Sequence, residues 1–226
     1  MTLAERRLRL SEWLDQIYDS ATEAIINQHI FWEVQDIIRN NPELQNASSA
    51  FYQWMGSTFV HSTVLAVRRQ VDSDQNSVSL MRFLLELQKH PELISRSYHE
   101  GLYSRPEYSV DFARSAARHT YDRYVGPNAN VLDVTAIQNE IQRLKTSSEK
   151  IHHYADRVVA HYDNRGLNQD TPKFNDVTDC LEVIEELVLR YILLLKGAWQ
   201  DSLLPTFQYD WKSIFHIPWI PPTGGA

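Results

Sequence analysis

The chain of 226 residues contains a single cysteine, Cys180, which excludes an internal disulfide framework of the kind found in small secreted domains. Glycine is scarce, at seven residues, and Asn-Gly and Asp-Gly turn signals are absent, which disfavours a hairpin-rich β fold. The most apolar stretch, LEVIEELVLRYILLLKGAW, carries too many charged side chains for a bilayer-spanning helix. These absences predict a protein that is helical and does not enter the membrane.

Basic residues are fewer than acidic ones: 22 lysines and arginines against 29 aspartates and glutamates give a net charge of −7. This charge is opposite to that of a protein that coats itself in nucleic acid, so any RNA contact needs a local basic site. The beginning, MTLAERRLRL, has no apolar core of a secretory signal, and with the lone thiol it predicts a cytoplasmic location. Serine-hydrolase elbows, phosphate-binding glycine loops and dinucleotide fingerprints are absent.

The clearest pattern is a pair of apolar stripes whose members alternate three and four residues apart. The first stripe comprises Val134, Ile137, Ile141, Leu144, Ser148, Ile151, Ala155, Val158 and Tyr162. The second comprises Val177, Leu181, Ile184, Val188, Tyr191, Leu195 and Ala198. Such spacing is typical of amphipathic helices with heptad-like faces. With Asp133 as N-cap of the first helix, the pattern predicts an antiparallel helical hairpin over about 133–163 and 176–198.

Helical periodicity also runs from residue 3 to about 40, where Pro42 disfavours helical geometry at Asn41. A third region, about 47–72, has apolar residues on more than one face and should therefore lie centrally, and Ser77 is expected to cap the next short helix. The segment after Trp199, rich in proline and aromatics, should be extended and wrap the bundle or meet a partner. We predict an all-α antiparallel bundle over about 3–199 and a tail over 200–226, forming a single domain.

The densest polar cluster lies at the end of the first hairpin helix. Helical spacing aligns Lys150, Tyr154, Arg157 and His161 along one ridge, which gathers two cations, a phenol and an imidazole. Phosphodiester cleavage uses such groups, because histidine transfers protons near neutral pH and arginine stabilises charge developing on phosphate. The same residues also suit the solvated edge of an amphipathic helix, so spacing alone leaves both interpretations open.

The run Asp-Arg-Val-Val-Ala-His-Tyr-Asp163, together with the segment from Arg68 to Leu87, resembles the abortive-infection AbiU-type branch of the HEPN domains. The resemblance spans roughly residues 3–199. It implies a metal-independent ribonuclease of a defence or toxin–antitoxin system, in which dimerisation joins two arginine–histidine motifs into a composite site. His161 matches the motif histidine, and the expected partners are a second copy, an RNA substrate, and an antitoxin or other protein.

The chain departs from this family pattern at the arginine. Arg157 has three residues between it and His161, whereas the family has four to six, and one residue on a helix is a rotation of about 100°. Three outcomes follow: Arg157 reaches the phosphate from a neighbouring ridge, Arg68, Arg69 or Arg165 replaces it, or catalysis has been lost.

The cluster Arg68-Arg69-Gln-Val-Asp72 has a structural and a functional interpretation. Arg68 and Asp72 are spaced to pair on the helix surface, while a central helix should also turn at least one arginine inward, toward a carboxylate such as Asp156 or Asp163. In the functional interpretation these residues orient His161 and deepen a positive pocket. His152 and Asp156 are spaced to begin a metal site, but no second ligand pair accompanies them. We therefore predict no metal and no cofactor.

Two functions remain in view from the sequence. In the first, the protein is a homodimeric HEPN-like ribonuclease, with His161 as general acid or base, Arg157 as phosphate stabiliser, and Tyr154, Asp156 and Asp163 fixing their orientation. In the second, the bundle is catalytically degenerate and binds a protein or nucleotide partner, as the net acidity and the proline-aromatic tail suggest.

Overall fold

The computed structural model of the protein describes residues 1–47, 49–104, 109–156 and 171–219. In these ranges the regular elements are helical and no strand occurs, which confirms the predicted all-α class. The α-helices of the described residues are α1 (Leu3–Arg39), α2 (Pro42–Asn46), α3 (Ala50–Val71), α4 (Leu80–Lys89), α5 (Arg96–Leu102), α6 (Val110–Tyr124), α7 (Val134–Tyr154) and α8 (Phe174–Lys196). Short 3₁₀ helices occupy Pro91–Ile94 and Trp211–His216.

The helix boundaries follow from capping residues that satisfy free backbone N–H groups. Thr2 and Glu5 form a capping box at the start of α1, and Asn41 caps α2, with Pro42 in its first turn. Asp133 accepts a hydrogen bond from the Thr135 N–H and caps α7, as predicted. The cap of α4 is Ser79 rather than the predicted Ser77, because Ser79 has the extended backbone geometry and its hydroxyl accepts from the Arg82 N–H.

Helices α7 and α8 pack along each other as the predicted antiparallel hairpin. Three ion pairs show that the two helices run antiparallel, because residue numbers increase along α7 while those of the partners on α8 decrease. These pairs are Glu140 with Arg190, Arg143 with Glu186 and Lys150 with Asp176. The first stripe is buried from Ile137 to Ala155 and the second from Val177 to Leu195. Val158 and Tyr162 of the first stripe lie outside the described residues. Val134, at the beginning of the first stripe, is exposed, and so is Ala198, which lies beyond the end of α8 at Lys196.

The core is built around this hairpin by α1, α3 and α4. Leu10, Leu14 and Ile17 of α1 are almost fully buried against it, as are Phe83 and Leu84 of α4. Helix α3 contacts α1, α4, α7 and α8, which confirms its predicted central position. Glu86 of α4 is also buried, and its carboxylate accepts hydrogen bonds from Arg6 at 3.0 Å and Arg9 at 2.8 Å on α1. This charged contact is compensated, as a buried carboxylate requires.

The carboxyl end of α8 is closed by side chains of α5. Tyr98 donates to the Leu195 carbonyl at 2.9 Å, and His99 Nδ1 lies 2.9 Å from the Leu194 carbonyl. Gly197 then ends the helix in a left-handed conformation with φ of 66°, where a Cβ would lie 3.2 Å from Leu102 Cβ. The last carbonyls of α8 are therefore paired by protein groups rather than exposed to water.

The tail beyond α8 wraps back over the bundle, one of the two predicted possibilities. Leu203 is buried, and its N–H donates to Glu185 of α8 at 2.7 Å. Farther along, Lys212 forms an ion pair with Glu33 of α1. The tail is not wholly extended as predicted, because Trp211–His216 forms a 3₁₀ helix that Asp210 caps through its side chain. The predicted single-domain organisation stays a prediction.

Candidate functional site

The site is assembled where the carboxyl end of α3 meets the carboxyl end of α7. Arg68 and Arg69 lie in the last turn of α3, a position where cations interact favourably with the helix dipole. Both arginines are exposed, and the inward polar residue is Gln70, whose side-chain oxygen accepts a hydrogen bond from the Leu80 N–H at 3.4 Å. The prediction of an inward-facing arginine is therefore wrong. The buried face passes through Thr63, Val67 and Gln70, and one position along a helix rotates a side chain away from it.

Asp72 ends α3 and does not pair with Arg68. Its Oδ1 accepts a hydrogen bond from the Asp74 N–H at 2.9 Å, and its carbonyl accepts from the Ser79 hydroxyl. The carboxylate thus shapes the loop between α3 and α4. Because its backbone leaves the helix at this residue, the spacing of four that would favour a surface pair with Arg68 no longer applies.

Arg68 pairs instead with Asp156 at the end of α7, one of the two carboxylates that the sequence suggested. Arg68 Nε donates to Asp156 Oδ1 at 2.9 Å, and His152 Nε2 lies 3.5 Å from Asp156 Oδ2. Arg68 and Asp156 are almost equally exposed, at 46% and 44% of their side chains. An ion pair this exposed contributes little to the stability of the fold.

The backbone of α7 changes character at this point. The α-helix ends at Tyr154, and Ala155 and Asp156 continue it in a π-helical turn. Single π turns widen a helix and recur at functional sites. Arg157, His161 and Asp163, the predicted catalytic and supporting residues that follow, lie outside the described residues.

Tyr154, the other predicted supporting residue, belongs to a different face of α7. Its side chain packs against the hydrophobic core. Lys150, one turn earlier, pairs with Asp176 of α8 at 2.7 Å. This ridge therefore faces α8, whereas His152 and Asp156 face α3. The structure brings together Arg68, Arg69, Asp72 and Asp156 from the predicted set and adds His152 to them.

Two cavities open at this junction, and His152 lines both. The smaller, of about 180 Å³, is lined by Leu65, Arg68, Arg69, Asp72 and His152; we call it the arginine cavity. The larger, of about 350 Å³, lies between α7, α4 and the loop after α3. It has an apolar floor of Val71, Met81 and Leu85 and polar walls that include Gln142, Lys145, Glu149 and His153; we call it the floor cavity.

His152 is not held in a fully bonded environment. Its Nδ1 is buried and has no hydrogen-bond partner within the described ranges. Its only polar contact there, to Asp156 at 3.5 Å, is longer than a normal hydrogen bond. A buried nitrogen without a partner is unusual in proteins and calls for an explanation. In the described part of the chain no three histidine, cysteine, aspartate or glutamate side chains converge on one point, so these residues assemble no metal centre.

Sequence reasoning considered His152 only as a metal ligand and did not include Lys145 or Glu149. Their shared signal was the polar series Gln142, Lys145, Glu149 and His152, which lies one helical edge away from the buried stripe. Such a series is typical of a solvated helix face. The series becomes a cavity wall only because apolar residues of α4 lie opposite it, and this depends on how α4 and α7 pack together.

Comparison with known proteins assigns this chain to a family. The HEPN_AbiU2 family model, described as AbiU2, matches residues 8–213. The chain belongs to the AbiU2 family of HEPN domains. This membership confirms the resemblance inferred from the motifs and identifies an abortive-infection, defence-type protein. Searches among curated proteins and among solved structures gave no match. In the described ranges no helix is both long and apolar enough to cross a membrane.

Proposed function

We propose that this AbiU2 protein is a metal-independent endoribonuclease that acts as a homodimer in a defence or toxin–antitoxin system. The observation that carries the proposal is the Arg68–Asp156 pair, which joins the arginines of α3 to the residue directly before Arg157 in the chain. The arginine missing from the family register thereby has candidate replacements at the same helix end. Family membership supports the same assignment.

In this proposal His161 moves the proton and the arginines stabilise the phosphate. The RNA 2′-oxygen loses its proton to a histidine and attacks the adjacent phosphorus, and the bond from phosphorus to the 5′-oxygen breaks. A proton delivered to that 5′-oxygen leaves a 2′,3′-cyclic phosphate and a free 5′-hydroxyl. An imidazole can make both transfers, because it accepts a proton at one nitrogen and donates one when protonated. Arg157, with Arg68 and Arg69, would balance the negative charge that grows on the phosphate oxygens.

The homodimer supplies a second histidine, so that one His161 can accept the proton while its counterpart donates the other. Asp156 and Asp163 are the proposed positioning residues. Asp156 accepts a hydrogen bond from Arg68 and lies 3.5 Å from His152 in the described structure, and Tyr154 packs against the core at this end of α7. The cytoplasmic location expected from the sequence is where such an enzyme would meet its RNA.

A His161→Ala variant tests the assignment directly. Cleavage of a labelled single-stranded RNA, measured in the presence of EDTA, should be lost, while the melting temperature stays within a few degrees of wild type. His119→Ala, at an exposed position of α6, is the matched control and should cleave normally. Persistence of cleavage in the His161 variant would overturn the assignment, and sedimentation of the wild-type chain as a monomer would overturn the dimer.

The second candidate is a catalytically inactive bundle that binds a partner protein. It is favoured by an exposed aromatic surface where the tail meets the start of α3, formed by Phe51, Trp54, Phe215 and Trp219. Three of these side chains are about half exposed or more. Exposed apolar patches on monomeric proteins often mark interaction sites.

Point variants test this surface better than removal of residues 200–226, because Leu203 and its bond to Glu185 help to hold the tail on α8. The double variant Phe215→Ser and Trp219→Ser should lower the number of subunits in the oligomer or weaken its affinity for a purified antitoxin-type partner. Tyr209→Ser, exposed in the same tail, is the control. An unchanged oligomer and unchanged partner affinity would contradict this candidate.

A further inference from the structure

The arginine cavity presents guanidinium groups that can bind an anion. Arg68 uses its Nε for Asp156, and within the described ranges its two Nη groups and the whole Arg69 guanidinium take part in no ion pair. Guanidinium groups bind phosphate oxygens through two parallel hydrogen bonds. The nearby carboxyl end of α3 carries partial negative charge and opposes an anion. The Asp72 carboxylate also lines this cavity and opposes an anion, although its Oδ1 already accepts from the Asp74 N–H. The hydrogen-bond donors that the cavity offers to an anion are therefore the two Nη groups of Arg68 and the Arg69 guanidinium.

The floor cavity has a different chemistry. Val71, Met81 and Leu85 form an apolar floor, while Gln142, Lys145 and Glu149 place hydrogen-bonding groups on its walls. The imidazole rings of His152 and His153 lie 6.5 Å apart at its edge. Its volume of about 350 Å³ falls at the lower end of the range for small-molecule sites. A flat heteroaromatic group with polar edges matches this lining, because its face can pack on the apolar floor while its edges form hydrogen bonds to the polar walls.

His152 forms the wall between the two cavities. Its unpaired Nδ1 and its long contact with Asp156 mean that the ring can turn without losing a good hydrogen bond. A ligand that occupied both cavities would bring polar atoms to this ring. The two cavities adjoin, because His152 lines both of them.

We infer that the two cavities together form a subsite for one ribonucleotide unit, with the phosphate in the arginine cavity and the base in the floor cavity. The inference rests on the proposed ribonuclease function and adds base selection to it. Glu149 accepts a hydrogen bond from an exocyclic amino group, as acidic side chains do with cytosine, and Gln142 offers both a donor and an acceptor. The bound unit belongs to a single-stranded RNA, since a paired base cannot enter a side cavity.

Titration of the full-length wild-type chain with the four nucleoside 3′-monophosphates and with inorganic phosphate tests the subsite. We expect one base to bind at least about tenfold more tightly than inorganic phosphate. Arg69→Gln should weaken every probe about tenfold, phosphate included, since a charge-assisted contact is lost. Glu149→Gln should change the order of the four bases and leave phosphate binding unchanged. Glu182→Gln, exposed on α8, is the control and should change nothing.

Leu85→Trp, which fills the floor cavity, should bring nucleotide affinity down to that of phosphate while phosphate binding is kept. Retained phosphate binding shows that this variant is folded. The inference is overturned if phosphate and the nucleotides bind equally to wild type, if no probe binds, or if Glu149→Gln leaves the base order unchanged. A short oligoribonucleotide of the preferred base should bind more tightly than its mononucleotide, and equal affinity would reassign the site to a free nucleotide.

Failure of this inference is distinguishable from failure of the ribonuclease proposal. Base-dependent binding by a protein that never cleaves RNA would overturn the ribonuclease and retain a nucleotide site. Conversely, RNA cleavage whose sequence pattern is the same in wild type, Glu149→Gln and Leu85→Trp would retain the ribonuclease and overturn the subsite.

Discussion

Two histidines at opposite ends of the α7–α8 hairpin show how differently the same side chain is used. His99 is fully buried, with Nδ1 2.9 Å from the Leu194 carbonyl and Nε2 2.8 Å from the Thr120 hydroxyl. His152 has 42% of its side chain exposed, a buried Nδ1 without a partner in the described ranges, and cavities on two sides. Satisfied and buried polar groups hold a fold, whereas an unsatisfied one beside open space is available to a ligand.

The charged pairs repeat this contrast. Near the His99 end, Arg96 holds Asp122 and also donates to the Ala129 carbonyl at 2.9 Å, and Arg96 is mostly buried. Near the His152 end, the Arg68–Asp156 pair is about half exposed on both sides. The difference indicates that the ion pair near His99 contributes more to stability than the pair near His152. The pair near His152 remains accessible to solvent, and the chain continues from it into the predicted motif residues.

The largest expected effect separates the two histidines by stability. His99→Ala should lower the free energy of unfolding by about 3 kcal/mol, because the Leu194 carbonyl and the Thr120 hydroxyl lose their partner and a cavity remains. His152→Ala should lower it by less than about 1 kcal/mol, as expected for a partly exposed side chain with one weak contact. Urea unfolding followed by circular dichroism measures both, and equal losses would contradict the contrast.

The pH dependence of stability should follow the same division. Burial lowers the pKa of His99 below its usual 6.5, although the Leu194 carbonyl partly opposes the shift. Below about pH 6.5 the unfolded chain therefore binds the extra proton and the folded chain does not, so stability falls as pH decreases toward the folded pKa.

Free energies of unfolding measured between pH 7.5 and pH 5 should show this decline in wild type and in His152→Ala. His99→Gln should flatten it. The carboxyl groups with lowered pKa, such as Asp176 and Glu186, titrate below their usual values of 3.8 and 4.5 and lie outside this window. A decline that persists in His99→Gln would show that another group carries the dependence.

The smallest expected effect concerns the ion pair at the candidate site. A double-mutant cycle with Arg68→Ala and Asp156→Ala should give a coupling energy of about 0.2–1 kcal/mol in unfolding, since both groups are exposed. The cycle with Arg9→Ala and Glu86→Ala should give more than about 1 kcal/mol, because the Glu86 side chain is only 10% exposed. If the Arg68–Asp156 coupling energy were as large as the Arg9–Glu86 one, the Arg68–Asp156 pair would be a stabilising contact of the fold, which would contradict the contrast.

Much of the fold was predictable because helix periodicity and capping are local. The hairpin, the Asp133 cap and the central α3 came from residue spacing, and family motifs pointed to the AbiU2 assignment that the family model confirms. The errors were also local in kind: Ser79 rather than Ser77 caps α4, because two nearby serines differ only in backbone geometry. The catalytic assignments at Arg157 and His161 stay predictions.

Packing decided what no local pattern could. Residue spacing placed Arg68, Gln70 and Asp72 at one helix end. The packing of α3 against its neighbours turned Gln70 inward, and Arg68 remained on the surface, where it pairs with Asp156. The series from Gln142 to His152 became a cavity wall only because α4 contributes Met81 and Leu85 opposite it. The sequence alone determined the helices and the family, because both are written in short-range patterns. The rotation of each helix about its axis, which selects the side chains that meet, was decided by the tertiary structure, because it depends on the whole core packing at once.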